Sequence, residues 1–334
     1  MSARITLPDD AALAEAAERL RAGELVAFPT ETVYGLGANA LDADAVAKIY
    51  AAKGRPATNP IIVHVASVEQ AKALVKTWPA IADELAAQHW PGPLTLVLEK
   101  ADHLPDIVTA GGPTVGIRIP NHPVALELLR LAGVPVAAPS ANRSEEVSPT
   151  QAHHVADSLG AFVEDLLILD GGACEVGIES TVLDVTCDPP RVLRPGMCLP
   201  LLAPLATPSG FAKGGNGVHV ARSPGQMLRH YAPKAHVVLV PPEKLLSWEY
   251  QPGDGLLWYN VWPGDVIAQY TDPATFPQRC MSRFAKLYAA QLYEALREMD
   301  ERGVKRLLIA LPPKRPNWAA IHDRLRRAAS PSGR

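Results

Sequence analysis

The chain has 334 residues, 48% hydrophobic and 20% charged, with a formal net charge of −3. That length predicts two domains with enough apolar material for real cores. The small negative charge argues against bulk nucleic-acid binding through a basic surface, while leaving room for a local cationic pocket. The four cysteines (Cys174, Cys187, Cys198 and Cys280) form no C-x-x-C pair and have no histidine cluster beside them. They read as small buried or half-buried thiols of a reducing cytosol rather than as metal ligands. The stretch "MSARITLPDDAALAEAAERL" carries acidic residues before any apolar core, and no run is long and apolar enough to span a bilayer. A soluble cytoplasmic protein is expected.

Helical spacing of Leu13, Ala16, Ala17 and Leu20 predicts a helix over 10–22, followed by the strand "ELVAFP". "DADAVAKIYAAK" (42–53) reads as a helix with Asp42 as N-cap and Gly54 as C-cap. The strand "PIIVHV" comes next, then helices near 67–75 and 79–89. Strands follow over 93–99 and 114–120, then a helix over 123–133 and the short strand "VPVAAP". A helix capped by Thr150 leads to "LLILD", "STVLDV" and "RVLRP". This makes one mixed α/β domain over 1–199. Residues 200–230 are rich in Pro, Gly and small residues and read as a linker. Beyond it, strands over 236–240, 255–259 and 305–311 alternate with a helix marked by Phe284, Leu287, Tyr288, Leu292, Leu296 and Met299. A last helix starts near Trp318. Residues 231–334 therefore form a small Rossmann-like parallel-sheet domain. No G-x-G-x-x-G or P-loop pattern marks a nucleotide site there.

Candidate chemistry gathers in the first domain. Lys53 falls on the buried stripe of helix 42–53 with Val46, Ile49 and Tyr50, whereas a solvated lysine belongs on the opposite face. Taken alone, Lys53 and Arg55 also suit a helix C-terminus as simple dipole partners. In "IIVHV", Ile61, Val63 and Val65 share one face and leave Ile62 with His64 on the other. In "TVGIRIP", Gly116 and Arg118 are likewise set apart from Val115, Ile117 and Ile119, and Gly116 leaves room for a ligand. An arginine inside an apolar strand needs a partner, either an internal carboxylate or a ligand carboxylate. Hydroxyl-rich turns follow other strands: "PTETVYG" with Thr30, Thr32 and Tyr34, and "APSANRSEEVSPT" with Ser140, Asn142, Ser144 and Ser148. "GIESTVLDV" offers Ser180 in preference to Thr181, and "RVLRPG" offers Arg194. No Ser-His-Asp order or activated nucleophile stands out. Cations beside small hydroxyls suit electrostatic holding of phosphates and a carboxylate more than covalent catalysis.

"FPTETVYGLGANA", "KGRPATNPIIVHV", "WPGPLTLVL", "VGIRIPNHP", "APSANRS", "GIESTVLDV" and "RVLRPG" occur in an order that resembles the YrdC-like family. "SPGQMLRHYAP" and "LYEALREMDERGVKRLLIALPP" resemble the linker end and C-terminal domain of its long, two-domain form. The resemblance implies an α/β fold with a YrdC-like mixed twisted sheet. It implies condensation of L-threonine, bicarbonate or carbon dioxide, and ATP to threonylcarbamoyl-AMP and pyrophosphate, with Mg²⁺ accompanying the nucleotide. A downstream enzyme transfers the threonylcarbamoyl group to a tRNA adenosine beside the anticodon. It implies that Lys53 and Arg55 are catalytic, and that they bind ATP with Asn59, Ser140, Asn142, Ser148, Arg194 and Tyr231, the last as a lid residue. It implies threonine contacts from Thr32, His64, Arg118 and Ser180, and no dedicated metal ligands. Glu145 and Glu146 stand where the family commonly has glycine, and "PNWAAIHDRL" lacks an expected glycine pair. The rival readings are a non-catalytic nucleotide- or RNA-binding module, disfavoured by balanced charge, and a carbamoyltransferase, whose C-x-x-C repeats are absent.

Overall fold

The structure, a computed structural model, describes residues 3–198, 207–208 and 231–330. Most of the stretch expected as linker and lid, 200–230, lies outside them. The chain divides into two compact units. The first is Met1–Ser144, Ser148–Glu175 and Glu179–Met227, and the second is Leu228–Arg334 with the short segments Glu145–Val147 and Val176–Ile178.

The first unit is built on a mixed sheet of strands β1 (Arg4–Thr6), β2 (Val26–Phe28), β3 (Gly35–Asn39), β4 (Val63–His64), β5 (Leu94–Glu99), β6 (Thr114–Arg118), β7 (Val136–Ala137), β8 (Leu167–Leu169), β9 (Thr181–Asp184), β10 (Arg191–Arg194) and β11 (Thr207–Pro208). Among the described residues their order is β1-β8-β2-β3-β7-β4-β6-β5-β9-β10-β11. Helices cover both faces. On one, α2 (Ala43–Lys53) contributes Val46 and Ile49, and helix Ala152–Leu159 contributes Val155 and Leu159. These meet Ile61, Val63, Leu96, Val115, Ile117 and Leu183 in the main core. On the other, α1 (Asp10–Arg21) and helix Pro123–Ala132 pack Leu13, Leu20, Leu128 and Leu129 on Val26, Phe28, Val136 and Leu167. That second covering belongs to β2, β7 and β8. Farther along the same face, Ile62, Val97 and Val182 form a separate small apolar cluster with Leu193. The candidate residues His64 and Arg118 lie along this strip.

Local chemistry accounts for most boundaries. The Asp42 carboxylate accepts from the N–H groups of Asp44 and Ala45, and Gly54 closes α2 in the left-handed region at φ +58°. Other expectations are corrected. Thr150 does not cap the next helix: Gln151 holds that place, and the Thr150 N–H donates to His154 Nδ1 at 3.3 Å. Phe284 and Leu287 lie on the outer face, 60% and 56% exposed, while Tyr288, Leu292, Leu296 and Met299 are buried. Cys280 is exposed rather than buried. β1, β3 and the strand Gln278–Cys280 are additions. β3, "GLGAN", lacks the β-branched residues that signal a strand, and it is almost wholly buried.

The second unit has four described strands in the order β12 (His236–Val240), β15 (Arg306–Ala310), β13 (Asp254–Trp258), β14 (Gln278–Cys280), all parallel. Arg306 grips Asp254 with two hydrogen bonds of 2.7 and 2.6 Å across adjacent strand starts. The fold is α/β throughout, with a mixed sheet first and a small parallel sheet second, as the sequence predicts.

A Cβ placed on Gly37 would stand 2.8 Å from Phe28 Cε1 and 2.9 Å from Val136 Cγ1. Gly37→Ala is therefore expected to destabilise the first unit by about 1–3 kcal/mol through overpacking. Urea unfolding followed by circular dichroism measures this, and an unchanged midpoint would contradict it.

Candidate functional site

Strand directions sort most of the candidate residues into two groups, and the turn before β3, which starts beside Ser140, carries Thr32 across to Arg118. β4 and β6 run parallel, β5 runs against β6, β9 runs with β5, and β10 runs against β9. The strand ends at His64, Arg118 and Arg194 and the strand beginnings near Thr95 and Ser180 thus fall at one end of the sheet. β7 runs against β4, so the residues after β7 and those before β4 meet at the other end. Ser140, Asn142 and Asn59 are there, with Arg55 four residues before Asn59.

At the first end, His64 and Arg118 are direct register partners on the face of the small apolar cluster. Arg118 is 3% exposed. Its Nε donates to the Gly92 carbonyl at 3.1 Å and its Nη1 to Thr32 Oγ1 at 2.9 Å. Its Nη2 lies 2.6 Å from Glu31 Oε2. Thr32 is fixed in turn by Thr30, whose hydroxyl is 2.8 Å from its own and donates to the Val33 carbonyl at 2.7 Å. His64 is buried beside this charge. Burial first, and the Arg118 cation second, push its pKa down to about 3. It is a neutral imidazole near pH 7, standing edge-on to Phe28 with ring centroids 6.3 Å apart.

Ser180 belongs to the same end. Its Oγ is 2.8 Å from Thr95 Oγ1, and Arg194 donates to its carbonyl and its hydroxyl, both at 3.1 Å. Ser180 makes these contacts from the residue just before β9, outside the strand on which the parity argument rests. Gly116, by contrast, does not simply leave ligand space: a Cβ there would meet Thr95 Cγ2 at 3.1 Å and Ile62 Cγ1 at 3.4 Å.

At the second end the cations organise loops. Lys53, 2% exposed, donates to the carbonyls of Ser140 and Asn142. Arg55 donates to the carbonyls of Asn59 at 3.0 Å and Pro60 at 2.6 Å. The Tyr50 hydroxyl reaches the same Asn59 carbonyl at 3.1 Å. Asn142 Nδ2 donates to the Arg143 carbonyl at 2.8 Å. Ser148 donates to Glu179 Oε1 at 2.6 Å, next to Ser180 in the chain. Tyr231 is in the second unit, 1% exposed at φ +62°, stacked on Tyr293 with centroids 5.7 Å apart and with the Arg324 guanidinium 5.1 Å from its ring.

Sequence reading passed over Glu31, Thr95 and Glu179. Thr95 carried a usable signal, since strand parity sets it apart from Leu94, Leu96 and Leu98. Glu31 and Glu179 stand in turns, where an acidic residue normally faces water. Among the described residues no group of three His, Cys, Asp or Glu side chains could hold a metal ion, and no helix is long and apolar enough to cross a membrane.

The Sua5/YciO/YrdC family model, described as "Telomere recombination", matches residues 18–196. A second model, "Threonylcarbamoyl-AMP synthase, C-terminal domain", matches 201–330. The chain is 42% identical to the threonylcarbamoyl-AMP synthase of Pyrococcus abyssi over 94% of its own length and 93% of that protein. It is 43% identical to the Bacillus subtilis threonylcarbamoyl-AMP synthase over 96% and 94%. The crystal structure of P. abyssi Sua5 complexed with L-threonine matches with a TM-score of 0.83 at 39% identity, covering 95% of this chain and 94% of that one. Both halves of the chain and nearly all of its length are thus accounted for, and the chain belongs to the Sua5/YrdC family of threonylcarbamoyl-AMP synthases, nucleotidyltransferases of the long two-domain form.

Proposed function

We propose that this face of the first unit condenses L-threonine, carbon dioxide or bicarbonate, and ATP. The observation that carries the reading is Arg118, a buried guanidinium braced by Thr32 beside a neutral imidazole. The same unit holds two more buried cations, Lys53 at the end of α2 and Arg55 in the loop that follows. The first end suits an amino acid: Arg118 takes its carboxylate, while Thr32, His64 and Ser180 surround its side chain. The second end suits a nucleotide: Lys53, Arg55, Asn59, Ser140, Asn142 and Ser148 hold ATP, and Arg194, from the first end, reaches its phosphates. The L-threonine bound by the P. abyssi relative supports the first assignment.

In the reaction, the threonine amine adds to carbon dioxide and loses a proton, giving an N-carboxylate. A carboxylate oxygen attacks the α-phosphorus of ATP, and the bond from that phosphorus to the oxygen bridging the β-phosphorus breaks. Pyrophosphate leaves and threonylcarbamoyl-AMP remains. Lys53, Arg55 and Arg194 stabilise the charge that develops on the phosphates. Magnesium fits as a passenger of the triphosphate, since such ions keep most of their ligands from phosphate and water. It supplies further charge neutralisation. The product is a reactive mixed anhydride, consumed by a partner enzyme that modifies tRNA adenosine. The thiols and the near-neutral charge fit work in the cytoplasm, without strong direct binding of nucleic acid.

Loss of one charge-assisted hydrogen bond costs about 1.5–3 kcal/mol, roughly a 10- to 150-fold effect. Arg55→Ala is expected to lower kcat/KM for ATP by at least that much, read as pyrophosphate release dependent on threonine and bicarbonate. Unchanged rates would remove Arg55 from the reaction. Serine lacks only a methyl group, so it should be used about 10–200-fold less well than threonine. Valine, lacking the hydroxyl, should be rejected more strongly; turnover of valine at the rate of serine would count against a hydroxyl contact.

His64 also makes stability depend on pH. Its folded pKa of about 3 lies below the ordinary 6.5. As pH falls below 6.5 the unfolded chain takes up a proton that the folded chain refuses, so stability falls with pH until about 3. Between pH 7 and pH 5 the native chain should lose roughly 2 kcal/mol more than a His64→Asn variant. Parallel denaturation curves at the two pH values check this.

A further inference from the structure

We propose that Glu31 takes the ammonium group of the amino-acid substrate. This rests on reading the Arg118 end as the threonine end. Glu31 stands in the turn between β2 and β3 and is 3% exposed. Its Oε2 lies 2.6 Å from Arg118 Nη2, yet the two groups are not aligned as donor and acceptor. Among the described residues neither Glu31 oxygen accepts a hydrogen bond, and Arg118 Nη2 donates none. An ionised carboxylate offers about four acceptor sites, and leaving them unmet in a buried place is costly. Among the described residues, His122, Cys174 and Cys198 also share the electrostatic surroundings of Glu31. Burial, with the Glu31 charge second, pushes the Cys174 thiol well up, and burial pushes Cys198 up to about 11. Both stay protonated and are weak donors.

What the carboxylate lacks is a compact cation with several N–H groups. An ammonium has three. In an α-amino acid that ammonium is one carbon away from the carboxylate. A substrate carboxylate placed on Arg118 therefore brings its ammonium beside the anion that already flanks Arg118, and that anion is Glu31. The four charges then alternate: Glu31, Arg118, carboxylate, ammonium. A zwitterion adds no net charge to the buried neutral pair, so no uncompensated charge is buried. A plain carboxylic acid would leave one surplus negative charge. Glu31 is thus a specificity-determining residue that selects α-amino acids over hydroxy acids of the same shape.

Calorimetric titration of the full chain with L-threonine and with 3-hydroxybutyrate, which keeps the carboxylate and hydroxyl but lacks the ammonium, tests this. The native chain should bind 3-hydroxybutyrate about 10- to 100-fold more weakly than threonine. Glu31→Gln should weaken threonine by a similar factor and leave 3-hydroxybutyrate unchanged or tighter, and Glu31→Asp should keep the preference for threonine. Equal weakening of both ligands by Glu31→Gln would show a merely structural role and overturn the proposal, as would equal affinity of the native chain for the two. If Glu31→Gln does not fold, the native comparison and Glu31→Asp decide. Native chain that binds no threonine at all overturns the assignment of this end, and the proposal falls with it.

Discussion

The first unit is arranged around the burial of one guanidinium. Arg118 ends a strand whose other face, with Val115 and Ile117, belongs to the main core. Taking such a charge out of water carries a penalty of several kcal/mol unless partners meet it. Its surroundings are those partners. The turn after β2 supplies Glu31 and Thr32, and the residue before Pro93 supplies a carbonyl. His64 opposite is held neutral, so no second positive charge is added. The same demand explains why α1 and its neighbouring helix stop short of this part of the sheet. A helix packed there would need an apolar surface beneath it, and Arg118, Thr95 and Ser180 do not provide one.

How much of this is legible in the sequence follows from periodicity. Strand parity has a period of two, so Ile61, Val63 and Val65 declare one face, and His64 with Arg118 the other. Helical spacing likewise places Lys53 on the inner stripe, where it is 2% exposed. Asp42 and Gly54 carry their cap chemistry openly. The ordered motifs add the family. What stays hidden lacks a period. Glu31 sits in a turn, and turn residues acquire burial only when the chain folds back over the sheet. β3 has two glycines in five residues and borrows its strand character from Phe28 and Val136 across the sheet. Phe284 and Leu287 obey helical spacing approximately but fall just off the buried stripe, since a helix start is the least constrained part of such a pattern. The carbonyl partners of Lys53 and Arg55 are illegible for a different reason: a backbone carbonyl is the same in every residue.

Those carbonyl partners differ in kind from the partner of Arg118. Arg118 has a carboxylate against it, which cancels its charge at short range. Lys53 meets the carbonyls of Ser140 and Asn142, and Arg55 those of Asn59 and Pro60. A carbonyl satisfies an N–H group without adding a formal negative charge, and these contacts fix the geometry of both cations. A polyanion gains most from cations positioned by contacts of this kind, because the contacts themselves consume no net charge and little reorganisation is needed when the ligand arrives. A zwitterion gains most from a neutral pair that offers one charge of each sign. On the proposed reading, one unit can therefore serve a nucleotide and an amino acid with the same residue types. The contacts described for each differ in kind: a carboxylate lies against Arg118, and backbone carbonyls accept from Lys53 and Arg55.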